Sequence, residues 1–473
     1  MKDIRVRFAP SPTGYLHVGG LRTALYNFLF AKQNNGKIIL RIEDTDQSRI
    51  VKGATDGLID IFKKFDINFD EGPNSKNNGS SYFQSNRLDI YNEHAKYLLE
   101  KGYAYKCYLS KQELINLREE ASDLKKDTQF LREQIRSFSK KNNSESNYVI
   151  RFKTPSDQLV EFNDIVRGIV KFNSNEIDDQ ILIKADGFPT YHMANVVDDF
   201  NMKISHVIRG EEWLSSTPKH ILLYKAFGYD IPSFAHLPLL LNKNKSKLSK
   251  RQGDVSVEDF LQKGYTPQAL INFVSLLGWH PENNEEILSL NKLIDIFSIN
   301  RVQKGGAIFD VEKLNWINSN YIKNMPMDDY ISTAMKFLPD DLKSENTKNK
   351  SFLMFMKDRV KTFNDLIDEA KWFYYLPKYI DDDIKTLHLD INQQMLSYLR
   401  KEIVIVDNIS EGFILELMKK IETKFNIKGK DLFFPIRLSI YGKTHGPNIY
   451  DICNILGKKQ VLIRLNNVLI KQC

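Results

Sequence analysis

Cysteine is scarce and long apolar runs are missing. Only three cysteines occur in 473 residues, Cys107, Cys453 and Cys473. Their odd number and wide spacing exclude a disulfide framework and a CxxC metal site. No stretch reaches the ~18 consecutive apolar residues of a membrane helix. Met1 to Pro10 reads as a charged, strand-like segment rather than a secretion signal, so the expected compartment is the cytoplasm. Fixed-period repeats and low-complexity tracts are also missing, which removes solenoids and linker arrays. Acidic side chains are outnumbered, 60 against 67 basic ones, for a net charge of +7. That balance suits a polyanionic partner, although a lysine-rich composition produces it unaided.

What is present is an ordinary globular mixture, 42% hydrophobic and 27% charged, over a length that calls for about three or more units at ~150 residues each. Ile4 to Ala9 alternates apolar and charged residues and runs into the turn-rich Ser11-Pro12-Thr13-Gly14. After Gly19-Gly20, the residues Leu21, Ala24, Leu25, Phe28 and Leu29 recur at helical spacing to about Asn34, and Ile38 to Ile42 reads as a second strand. This order predicts the start of a doubly wound parallel nucleotide-binding sheet. Cys107 to Lys141 is polar, with leucines at helical intervals, and predicts a helical insertion. Strands are expected again at Tyr148–Phe152, Ile181–Lys184 and Ile204–Arg209. The helix that follows has Thr217 as N-cap, Pro218 at its first position and Gly228 as C-terminal cap. From about Asp310 the spacing becomes helical, as in Asp329–Phe337, Phe352–Lys371 and Gly412–Lys424, predicting an all-α C-terminal third.

The strongest chemical signal is His17-Val18-Gly19-Gly20 at the first strand-to-helix turn. An imidazole there can hydrogen-bond a phosphate, and the two glycines let a nucleotide lie against the helix start. Taken alone, the tetrapeptide reads equally well as a turn histidine. The second signal is Lys247-Leu248-Ser249-Lys250-Arg251, after the apolar run Leu237–Leu241. Ammonium groups of Lys247 and Lys250 can neutralise the charge that grows on an α-phosphate and a departing pyrophosphate. A solvated basic loop is the plainer reading. Arg209 closes a strand, where a guanidinium can pair bidentately with a substrate carboxylate and reject the amide, or else pair with Glu211 or Glu212. Glu43-Asp44-Thr45-Asp46 reads as a magnesium site or an acidic turn. An amino-group contact is preferred for Glu43, with turn and capping roles for Asp44 and Asp46. His192 and His220 are read as structural.

The two signatures, in this order, resemble the HIGH and KMSKS motifs of class I aminoacyl-tRNA synthetases. The likeness to the bacterial glutamyl-tRNA synthetases extends through Arg41–Asp46, Asp186–Asp199, and Phe309-Asp310 with Lys313-Leu314. It implies an α/β catalytic half, an inserted acceptor-binding domain and an all-α anticodon-binding region, expected at 1–105, 106–188, 189–241, 242–325 and 326–473. It also implies that Arg7, Ala9, Ser11 and Glu43 hold the backbone groups of glutamate, while Tyr191, Asn195 and Arg209 complete the amino-acid pocket. Glu212 and Trp213 are implied between amino acid and ATP. The backbone around Leu240 is implied at the adenine, with His17, Gly19, Gly20, Lys247, Ser249 and Lys250 around the phosphates.

Gly20 replaces the second histidine of the HIGH signature. The zinc site of some family members is not expected here, because only Cys107 remains and Leu109 stands beside it. The implied reaction forms glutamyl-adenylate from glutamate and ATP, with Mg2+ from solution, and passes glutamate to the terminal adenosine of tRNA(Glu). Charging of tRNA(Gln) as well is an in-class variant, on which Arg359, with Lys357 and Lys361 beside it, is the expected reader of the anticodon. A monomer is expected from the family. Nucleotidyltransferases with an HxGH loop and the short glutamyl-queuosine synthetases lack the helical C-terminal third. Glutaminyl-tRNA synthetases would not present Arg209, and a non-catalytic tRNA-binding relative should have lost His17 or the lysine pair.

Overall fold

β1 (Arg5–Phe8), α1 (Val18–Gln33) and β2 (Lys37–Leu40) form the expected β-α-β unit, with β1 and β2 parallel from Arg5–Lys37 to Phe8–Leu40. The computed structural model describes residues 3–75, 79–139, 148–248, 255–343 and 346–469. Two units divide the chain: Met1–Leu261 with Pro267–Ile317, and Gln262–Thr266 with Asn318–Cys473. No helix among the described residues is long and apolar enough to cross a membrane.

In the first unit, α2 (Ala54–Lys64) and α3 (Leu88–Glu100) follow β2. An antiparallel sheet β3-β4-β7 is built from Ala104–Cys107, Val149–Phe152 and, further on, Ile181–Ile183. The helices α4 (Lys111–Asp123) and α5 (Thr128–Ser139) supply the predicted insertion. Between β4 and β7 lies a hairpin absent from the sequence reading, β5 (Leu159–Asp164) and β6 (Gly168–Asn173). After α6 (Tyr191–Asn201) come β8 (His206–Gly210), α7 (Thr217–Phe227) and β9 (Ser233–Leu237). β8 and β9 are parallel, and Asp164 of β5 pairs with Phe234 of β9. The hairpin therefore extends the sheet that carries the site. Ser205 N–H donates to Arg5 O at 2.9 Å, which sets β8 beside β1.

The central strands are apolar on both faces, as parallel strands covered by helices must be: Val6, Ile38, Ile39, Val207, Ile208 and Ala235 are each at most 1% exposed. The unit ends with β10 (Leu240–Leu241), α8 (Val257–Gln262), α9 (Pro267–Ser275), α10 (Leu290–Ile296) and β11 (Ala307–Ile308), followed by α11 (Val311–Asn324).

The helix after β8 corrects one expectation. Its N-cap is Ser216, and Thr217 is the first helical residue, with its hydroxyl committed elsewhere. Gly228 does end the helix, in the left-handed region at φ 70°, where a Cβ is unfavourable.

The second unit is helical throughout its described residues: α12 (Met327–Ala334), α13 (Asn346–Met356), α14 (Asp365–Tyr374), α15 (Asp381–Leu387), α16 (Asp390–Ile405), α17 (Glu411–Phe425), α18 (Lys430–Tyr441) and α19 (Ile449–Leu469). Phe352–Lys371, read from sequence as one helix, is two. The Asp365 carboxylate accepts from the Lys361 and Thr362 N–H groups at 2.7 and 3.0 Å, so a fresh helix starts there.

Candidate active site

Local chain chemistry builds the site at the carboxyl ends of β1 and β8. A cleft of about 330 Å3 is lined by Arg7 to His17, Gly19, Gly20, Glu43, Tyr191, Asn195, Arg209, Glu212 and Trp213. Residues scattered over 200 positions of sequence are thereby gathered at the edge where nucleotides bind doubly wound sheets. Tyr15 and Leu58 also line it and escaped the sequence reading, since neither stands in a motif with chemistry of its own.

His17 is the N-cap of α1. Its Nδ1 accepts from Gly19 N–H at 3.0 Å, which puts the proton of the neutral ring on Nε2. Gly20 follows from packing: a Cβ there would lie 2.9 Å from Leu16 Cδ1. The lysine loop is stitched to the same turn. Leu248 N–H donates to Leu240 O (2.8 Å), Val18 N–H to Val255 O (3.1 Å) and Val257 N–H to Leu16 O (2.8 Å). Both described ends of the loop are thus tied beside His17. Lys247 is exposed at its base, while Ser249 and Lys250 lie outside the described residues. The Leu240 side chain faces Gly19, 3.8 Å from where a Cβ would sit.

The floor of the cleft is a buried charge network. Asp199 accepts from Arg7 Nε at 3.1 Å and from Arg41 Nη1 at 2.7 Å. Asp198 accepts from Gln84, Arg87 and Tyr91 at 2.7–2.9 Å. With its amide nitrogen toward Asp199 and its oxygen toward Arg41, Asn195 joins at 3.2 and 3.1 Å. Glu43 stands 3.4 Å from Arg41. Burial pushes its carboxyl up, against the pull of Arg41 and Arg7. The Asp44 carboxylate reaches beyond its own turn, accepting from Ser85 N–H and Oγ at 2.8 and 2.6 Å. Nothing along the chain marks Asp198, Asp199 and Arg41 as one network, because a charged residue's partner cannot be read in one dimension.

Arg209 is 4% exposed. Its five N–H groups all find neutral acceptors: His236 Nε2 (3.1 Å), Tyr191 Oη (3.0 Å), His220 Nδ1 (3.3 Å), Thr217 Oγ1 (2.8 Å) and Trp213 O (3.4 Å). Neither nearby glutamate pairs with it; Glu211 is taken by Arg167 and by Leu239 N–H. His220 in turn meets His192 at 3.0 Å, and burial drives both rings well below the ordinary histidine range, His192 to about 4. The guanidinium is thus buried with no carboxylate among its hydrogen-bond partners.

In the second unit Arg359 is half held: its guanidinium lies over Phe355 (4.0 Å) and pairs with Asp451 (2.9 Å). Lys357, half-buried, gives one ammonium N–H to Met325 O at 2.6 Å, just past the end of α11. Lys361 is exposed. Cys107 is buried in a small apolar cluster with Leu109, Leu117 and Ile135.

The site can be set beside known proteins. Residues 3–316 match the family model described as tRNA synthetases class I (E and Q), catalytic domain, and residues 325–469 match the anticodon binding domain. The chain is 43% identical over 495 residues to the glutamate–tRNA ligase of Clostridioides difficile, covering 99% of this chain and 100% of that protein. It is 43% identical over 488 residues to the glutamate–tRNA ligase of Finegoldia magna, with the same coverage. A crystal structure of a glutamate–tRNA ligase from Elizabethkingia meningosepticum, in complex with its amino acid, superposes with a TM-score of 0.83 at 35% identity, covering 100% of both chains. With both family models matched in order along almost its whole length, the chain belongs to the class I tRNA synthetases of the glutamate and glutamine branch.

Proposed function

We propose that the chain is a glutamate–tRNA ligase that activates glutamate with ATP and transfers it to the terminal adenosine of tRNA(Glu). The observation that carries the choice of glutamate is Arg209, a buried cation at the cleft with only neutral acceptors among the described residues. In this reading Arg7, Ala9, Ser11 and Glu43 hold the amino-acid backbone, and Tyr191 and Arg209 hold the side-chain carboxylate. Asn195, spanning Asp199 and Arg41, shapes the pocket floor. His17, Gly19, Gly20, Glu212, Trp213, Leu240, Lys247, Ser249 and Lys250 surround ATP. The α-carboxylate of glutamate attacks the α-phosphate and pyrophosphate leaves; a ribose hydroxyl of the tRNA then attacks the carbonyl and AMP leaves. No side-chain nucleophile is required, so positioning and charge stabilisation supply the catalysis. Mg2+ enters with ATP as part of the substrate. We place the functional regions at 1–105, 106–188, 189–241, 242–325 and 326–473, with the last meeting the anticodon.

Aminoacylation of purified glutamate and glutamine tRNAs with labelled glutamate tests the reading, with Lys250→Ala as control. Charging of the glutamate tRNA alone supports discrimination by way of Arg359; charging of both removes that role and leaves the enzyme class. No charging by the wild type above the control would overturn the assignment.

Two further results are expected. Lys247→Ala should lower kcat by roughly ten- to a thousandfold with KM for glutamate little changed, since its cation acts on charge that develops only in the transition state; an unchanged kcat would remove Lys247 from the phosphate site. Glu43 must be ionised to meet an ammonium, and burial raises its pKa. Capture of glutamate should therefore weaken as pH falls, beginning above the ordinary glutamate value of ~4.3. A Glu43→Gln protein should show weak capture at every pH, and an identical pH profile of kcat/KM in the two proteins would refute the contact.

A further inference from the structure

Arg209 is held from two sides. Tyr191 and Trp213 line the cleft, and each takes one N–H, from Nη1 and Nη2 respectively. His236, His220 and Thr217 lie behind it and take the other three. A carboxylate arriving from the cleft can thus take one N–H on each terminal nitrogen, in place of Tyr191 Oη and Trp213 O, provided that the guanidinium plane does not turn. The plane is set by Nε, the nitrogen nearest the chain, and Nε–H has one acceptor, His236 Nε2.

An arginine N–H can only donate, so His236 Nε2 must be unprotonated and the ring proton must sit on Nδ1. Asp164 decides this. Its Oδ2 lies 2.6 Å from His236 Nδ1, while its Oδ1 accepts from the N–H groups of Val166, Arg167 and His236 at 3.0, 2.8 and 3.3 Å. Asp164 and His236 are 1% and 0% exposed, so no water competes. The aspartate closes β5, the strand of the unforeseen hairpin, and reaches His236 because β5 pairs with β9. Its negative charge also balances Arg209 from one imidazole away, leaving the cleft side of the guanidinium to a ligand.

We propose that Asp164 and His236 are positioning residues for substrate specificity: Asp164 fixes the His236 tautomer, and His236 fixes the guanidinium of Arg209 toward the substrate carboxylate. This rests on the reading of Arg209 as the carboxylate partner. Asp164→Asn keeps an oxygen for the three backbone N–H groups but turns an amide N–H toward His236 Nδ1. The ring proton then moves to Nε2, where Thr217 Oγ1, 3.1 Å away, is its acceptor, and Arg209 Nε–H is left with none. His236→Gln offers Arg209 an amide oxygen near the position of Nε2 without needing Asp164.

In tRNA aminoacylation, Asp164→Asn should raise KM for glutamate roughly ten- to a hundredfold, the worth of a hydrogen bond to a charged group, with KM for ATP near wild type. His236→Gln should stay within about threefold of wild type and His236→Leu should match Asp164→Asn. Adding Asp164→Asn to His236→Gln should cost nothing more, because no tautomer remains to be set. The proposal is overturned by an unchanged KM for glutamate in Asp164→Asn, by an equal rise in KM for ATP, or by His236→Gln as damaging as His236→Leu. If Asp164→Asn does not accumulate folded, the glutamine–leucine contrast at 236 decides alone. A wild type that does not use glutamate, or an Arg209→Gln protein with unaltered KM for glutamate, would instead count against the proposed function itself.

Discussion

Arg209→Gln is expected to lower kcat/KM for glutamate by roughly a hundred- to ten-thousandfold, the range for losing one partner of a buried, hydrogen-bonded charge pair. The loss should fall on glutamate and spare ATP, because in the proposed function the guanidinium and Tyr191 meet the side-chain carboxylate of glutamate, whereas the ATP phosphates fall to His17 and the lysine loop. Glutamine at 209 cannot present two parallel N–H groups to a carboxylate, and it removes the charge that makes an amide the wrong ligand. Steady-state kinetics with each substrate varied in turn separates the two effects. A fall of less than tenfold, or one shared equally by ATP, would remove Arg209 from substrate recognition.

The second large effect is expected from Asp199→Asn. The carboxylate is 2% exposed and joins Arg7 of β1 to Arg41 beyond β2, so the amide leaves two buried guanidinium groups short of a counter-charge. Breaking such a pair costs about 3–5 kcal/mol, a melting shift of roughly 5–15 °C for a unit of this size. Activity should fall with it, since Arg7 and Asn195 lose the group that orients them at the pocket floor. The sign of the pH dependence is determinate. Burial pulls the Asp199 pKa upward, but Arg7 and Arg41 outweigh it and leave the folded value below the ordinary one. Its stabilisation is therefore present above about pH 4, the unfolded value, and is lost as pH falls through the folded value. Chemical denaturation between pH 7 and pH 3 should show wild type losing its margin over Asp199→Asn at the acid end. A margin independent of pH, or no margin at pH 7, would contradict the network.

Much of this was legible along the chain wherever the reason for a residue is local. His17-Val18-Gly19-Gly20 is a cap followed by glycine at a close packing point, and both requirements act within four residues. The helical C-terminal third follows from apolar spacing, and its core of buried leucines, isoleucines and phenylalanines bears that spacing out. Errors arose where a side chain answers to something distant. Thr217 has every local mark of an N-cap, yet its hydroxyl accepts from Arg209 and the cap passes to Ser216. The break inside Phe352–Lys371 depends on Asp365 turning back to Lys361 and Thr362, which helical periodicity does not register.

The contrast between Arg209 and its supports shows where the division lies. Strand position and charge, both local, mark Arg209 as a carboxylate partner at a sheet edge. Whether it would pair with Glu211, Glu212 or a ligand is set by long-range geometry: Arg167 captures Glu211, and Asp164 and His236, 72 residues apart, meet only because β5 lies beside β9. Sequence alone determined the α/β half, the helical third and the capped turn at His17, because periodicity and capping act over a few residues. The tertiary structure alone decided which charges pair with each other and which, as at Arg209, meet only neutral groups, because electrostatics and hydrogen bonding depend on distance in space and on burial, and a one-dimensional pattern encodes neither.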